Sequence, residues 1–202
     1  MSILPTPKVC ANPGRPLDSL KDLFNKSVLV WLDPKVKDLL LDYLIIKQLF
    51  LEYGIGESSL SDFSYLITPA FKALEGTLLQ IATELQLDPE KFNYKLGVIF
   101  DEQRLEKLYE AVFDKLESVT EDQKLDAKQW LSNAKRILSH MRHTPAHFMG
   151  EPKKTHNMAF KTGDMICYTI DEMCRSLISS GLLKPSMPAV LAEIFPVTGP
   201  LR

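Results

Sequence analysis

The residues best suited to chemistry lie at positions 142–147, which read RHTPAH. Arg142 and His147 bound this hexapeptide, and histidine is the side chain whose ordinary pKa lies nearest neutrality. His147 is therefore a candidate general base for a ribose 2′-hydroxyl, or general acid for the leaving 5′-oxygen, while Arg142 would hold the scissile phosphate and stabilise its added charge. Such chemistry requires RNA as the substrate, because it uses the 2′-hydroxyl, and it requires no metal or other cofactor.

Whether Arg142 and His147 lie on the same side of the chain depends on Pro145. On an uninterrupted helix, five residues turn the chain by about 500°, which leaves Arg142 and His147 roughly 140° apart around the axis. Proline cannot continue a helix and disfavours helical backbone at the preceding residue, Thr144. We therefore predict a break within the hexapeptide that brings His147 back to the side of Arg142.

Helices are predicted on both sides of the hexapeptide. Thr120 is a candidate N-cap with Gln123 as its capping-box partner, and the helix that follows runs into the hexapeptide. Residues 149–157 are predicted to form a surface loop, and a final helix is predicted to begin near Thr162 and to end before Gly181.

The first half of the chain also carries helix signals. The Asp-Pro pair at 33–34 predicts the start of a helix that reaches about residue 53. Pro69 predicts a kink, or a short helix followed by a long one. A further helix is predicted over 101–119. Residues 17–32 contain apolar spacings that fit either helix or strand.

These patterns predict an all-α fold, an antiparallel bundle of about five helices with Pro-rich extensions at both ends. The predicted organisation is an N-terminal arm or accessory segment over 1–33, the bundle over 34–182 and a tail over 183–202. The sequence contains no GxGxxG, P-loop, HExxH or GxSxG motif, which excludes the commonest nucleotide-binding and hydrolase classes.

Composition limits the classes of protein and the cellular compartment to be considered. The net charge of −2 excludes a globally basic nucleic-acid binder while leaving room for a local basic cleft. Three cysteines without a CxxC argue against a disulfide framework or structural zinc, and Cys167 and Cys174 are predicted to be buried core thiols. No apolar run is long enough for a membrane span, and the N-terminus lacks the order of a signal peptide, so a cytoplasmic protein without membrane association is expected.

The hexapeptide, at the end of a bundle helix and ahead of a final helix, resembles the motif of the HEPN superfamily, an Arg, four to six residues, then a His. His143 fills the polar position that usually follows the Arg. Within the superfamily, the layout resembles the toxin domain of RnlA/LsoA-type bacterial ribonucleases, which carry a basic residue and a glutamate three apart on an earlier helix. Lys72 and Glu75 match that pair, with lysine standing where arginine is expected.

The resemblance covers roughly residues 35–182 and implies metal-independent RNA cleavage by a homodimer in which motifs from two subunits share a cleft. It implies Arg142, His147, Glu75 and Lys72 as catalytic residues, with His143 and Lys72 contacting the substrate. It also implies a toxin or defence effector restrained by an antitoxin protein.

Other interpretations fit the same residues. A HEPN-like bundle without catalysis would bind RNA, nucleotide or a partner protein. In an unrelated helical protein, His140, His143 and His147 would bind a metal ion, with carboxylates completing the shell. As a separate alternative, Arg142 and His147 would only complement the dipole at the end of a helix. Lys72 and Glu75 would likewise form only a surface ion pair.

Overall fold

The computed structural model describes residues 16–53, 63–86, 102–116, 119–141 and 156–185. Within these ranges the chain forms helices and no strands, which confirms the predicted all-α fold. A 3-10 turn, Ser64–Ile67, precedes the fourth helix. The α-helices are α1 (Pro16–Leu23), α2 (Lys26–Trp31), α3 (Pro34–Tyr53), α4 (Thr68–Glu84), α5 (Glu102–Lys115), α6 (Glu121–Met141) and α7 (His156–Ser179).

Helix α7 lies at the centre of the bundle. It packs on α6, α4, α2, α3 and the 3-10 turn, while α3 and α4 form an extensive interface of their own and α5 packs on α6. Ile166, Ile170, Met173 and Leu177 recur at helical spacing on α7 and are fully buried. Cys167 and Cys174 share this environment as free buried thiols, as predicted.

Several predicted helix boundaries are confirmed. The Oδ1 atom of Asp33 accepts a hydrogen bond from the backbone N–H of Lys35 (2.8 Å), and α3 begins at Pro34. Pro69 occupies the first turn of α4, directly after the 3-10 turn, so the short-then-long alternative is the one adopted. Gly181 has a φ of +75° and follows the end of α7, where the backbone N–H of Leu182 returns to the carbonyl of Leu177 (3.1 Å).

The segment that fitted either helix or strand is helical. Asn25 caps α2 by accepting from the backbone N–H of Ser27 (3.0 Å), and its own N–H donates to Oδ1 of Asp171 on α7 (2.7 Å). Phe24, Val28 and other apolar side chains of 20–32 lie in the same core as the later helices. A boundary at residue 33 therefore stays a prediction, and the Pro-rich segments at both ends lie outside the described residues.

The final helix is longer than predicted. It begins at His156 rather than near Thr162, because Ala159 and Phe160 are buried and extend the apolar face of α7 by a turn. Residues 156 and 157, predicted as part of a surface loop, belong to this first turn. None of the helices among the described ranges combines the length and the apolar character needed to cross a bilayer.

Candidate functional site

Arg142, His143 and His147 lie outside the described residues, so their geometry stays a prediction. The structure does define what flanks them. Helix α6 extends to Met141, the residue directly before Arg142, and α7 begins at His156. The hexapeptide thus falls in the connection between the two helices.

Helices α6 and α7 run antiparallel. The side-chain amide of Gln123 near the start of α6 donates to the carbonyl of Ser179 at the end of α7 (3.2 Å). Further along, the rings of Trp130 and Tyr168 meet with their centroids 5.4 Å apart. The end of α6 and the start of α7 therefore lie at one end of the bundle, which we call the hexapeptide end.

The last turns of α3 reach the same end. The ring of Phe50 contacts the ring of Phe160 edge-on, with centroids 6.0 Å apart. An open groove along this part of α3 is lined by Leu44, Lys47, Gln48, Leu51 and Glu52. Its surface combines apolar side chains with one cation and one carboxylate, so nothing in its chemistry selects a particular ligand.

The other predicted pair, Lys72 and Glu75, lies in the first half of α4. Lys72 is exposed and Glu75 is half-buried. Helix α4 packs chiefly on α3 and α7, whereas α6 packs chiefly on α7 and α5. Arg142 and the rest of the hexapeptide lie outside the described residues, so the relation between the two parts of the predicted site stays a prediction.

The sequence did not predict a polar cluster that joins α3 to α7 near the hexapeptide end. The phenol of Tyr43 is wholly buried and lies 2.8 Å from Oδ1 of Asp164 and 2.9 Å from the carbonyl of Phe160. The ammonium of Lys47, one turn along α3, lies 2.7 Å from each carboxylate oxygen of Asp164. Gly163 lets the ring of Tyr43 approach α7 closely enough for these contacts.

The electrostatics of the cluster indicate a structural role, in which it connects α3 to α7. Burial raises the pKa of Tyr43, and the hydrogen bond to Asp164 raises it further, so the phenol stays protonated and acts as a donor. Lys47 compensates the charge of Asp164 directly. Burial also raises the pKa of the neighbouring Cys167 thiol to about 12. Neither the phenol of Tyr43 nor the thiol of Cys167 is adjusted toward proton transfer at neutral pH.

A second polar cluster, centred on Glu84, lies at the opposite end of the bundle. The carboxylate of Glu84 on α4 accepts from the indole N–H of Trp31 and from the backbone N–H of Lys184 (2.7 Å). One turn earlier, Gln80 accepts from the backbone N–H of Asp33 (2.8 Å) and donates to the carbonyl of Trp31 (2.6 Å). These contacts connect α4 to the junction of α2 and α3 and to the residues that follow α7.

Metal binding through the histidines is untested, because 142–155 and the His140 and His156 side chains are outside the described set. Within the part of the chain that is described, no three His, Cys, Asp or Glu side chains are grouped to hold a metal ion. Comparisons with protein families, curated proteins and solved structures found no match for this chain. A functional assignment therefore depends on the residues themselves and on where the helices place them.

Proposed function

We propose that the protein is a metal-independent endoribonuclease of the HEPN type. The observation that carries the proposal is the position of the hexapeptide along the chain, between two helices of the bundle. The hexapeptide follows directly on Met141, the last residue of α6, and precedes α7 in an all-helical bundle. This is the position in which the HEPN motif is expected, and it holds both an arginine and a histidine.

In the proposed reaction, His147 takes the proton of a ribose 2′-hydroxyl as the 2′-oxygen attacks the adjacent phosphorus. The bond from phosphorus to the 5′-oxygen breaks, and that oxygen takes up a proton from the protonated His147 or from water. The products are a 2′,3′-cyclic phosphate and a 5′-hydroxyl. Arg142 holds the non-bridging oxygens and stabilises the charge that develops on them.

Lys72 and Glu75 complete the proposed site, with Lys72 and His143 contacting the RNA. The resemblance to the HEPN superfamily implies a composite site shared by two subunits, and we propose a homodimer for this reason. A cytoplasmic toxin or defence role, with an antitoxin as the restraining partner, completes the proposal.

The test is RNA cleavage by the purified protein in EDTA, with the ends identified as cyclic phosphates. His147→Ala and Arg142→Ala should each reduce the rate by about a hundredfold or more, the usual contribution of a general acid–base or phosphate-stabilising group. His156→Ala is the matched control, because it removes a histidine from the same region outside the motif. Full activity in the His147→Ala protein would refute the proposal. Tight RNA binding without any cleavage would favour the non-catalytic alternative.

A further inference from the structure

We draw no further inference here: the strongest candidate, the open groove along the last turns of α3 at the hexapeptide end, lined in part by Leu44 and Leu51 and flanked by the exposed Ile45 and Leu49, is an unpartnered apolar face, and nothing in the structure shows what covers it.

Discussion

Gly163 on α7 lies directly against the ring of Tyr43 on α3. A Cβ atom at position 163 would lie 2.4 Å from both Cε2 and Cζ of that ring, and 2.5 Å from the phenol oxygen. Real Cβ atoms do not approach other atoms so closely. The contact between the two helices at this point therefore requires glycine, although glycine is a weak helix former.

Gly163→Ala should destabilise the protein by about 1–3 kcal/mol or more, because overpacking the interface exceeds the helix-propensity gain of about 1 kcal/mol. Urea unfolding followed by circular dichroism measures the change. Gly76→Ala is the matched control on α4, where a Cβ would lie 3.0 Å from Cγ2 of Val36, a longer distance than those at Gly163. It should cost clearly less. Equal stability of the Gly163→Ala and parent proteins would contradict the observed packing.

The stability of the protein should decline at alkaline pH because the pKa values of two buried thiols are raised. Burial raises the pKa of Cys167 to about 12 and that of Cys174 well above its ordinary range. A thiol in the unfolded chain titrates near 8.5, so above that pH the unfolded state loses protons that the folded state retains. The stabilising contribution is complete below about pH 8.5 and is lost as the pH rises toward 12.

The free energy of unfolding measured in urea at several pH values tests this expectation. A Cys167→Ala, Cys174→Ala double variant should show a shallower decline between about pH 8.5 and 10 than the parent. Some decline should remain near and above pH 10, because burial also raises the pKa of Tyr43. Identical pH dependence in the two proteins would show that the thiols do not contribute.

Glu84→Gln should weaken the polar cluster at the end of the bundle opposite the hexapeptide end, and so lower the stability of the protein. The carboxylate of Glu84 accepts from both Trp31 and Lys184, whereas an amide offers one carbonyl oxygen and turns an NH₂ group toward a donor. We expect a loss of about 1–3 kcal/mol, measured by thermal or urea unfolding. Glu110→Gln, at an exposed position on α5, should change stability little. A Glu84→Gln protein as stable as the Glu110→Gln protein would contradict the role of this carboxylate.

Lys72→Ala should reduce RNA cleavage without changing the stability of the protein. Lys72 is exposed on α4, so its removal should leave the unfolding midpoint within the range of ordinary surface substitutions. If it contacts phosphate, RNA cleavage should fall by about tenfold or more. Lys72→Arg should retain or increase the rate, because arginine restores a bidentate contact. Lys35→Ala, also exposed but near the start of α3, is the control. Equal cleavage by the Lys72→Ala and Lys35→Ala proteins would remove Lys72 from the site.

Local signals in the sequence were sufficient to predict several helix ends. Asp33, Pro69 and Gly181 act on the backbone within a turn of their own positions, so their effects can be read from neighbouring residues. The all-α fold follows from the periodicity between such boundaries. Helix α2 was not distinguishable from a strand because six apolar-rich residues carry too little periodicity, and its cap is completed by Asp171, far away in the sequence.

The polar cluster illustrates what the sequence did not reveal. Tyr43 and Asp164 are 121 residues apart, and each looks ordinary within its own helix. A tyrosine at a core position and an aspartate on an exposed face become partners only when α3 and α7 pack. The one local hint was a glycine inside a helix, beside Asp164. For the hexapeptide, the structure adds the location of its flanking helices, and the roles of Arg142 and His147 stay predictions.

The central position of α7 also has a consequence for biosynthesis. Helices α2, α3, α4 and α6 all pack on α7, yet α7 is the last of the described helices to be synthesised. While the ribosome is still translating 1–155, α3 and α4 can pair, but the apolar surfaces that α7 covers in the finished protein remain open to solvent. The nascent chain would therefore expose aggregation-prone apolar surface until α7 emerges, and the core can close only after that.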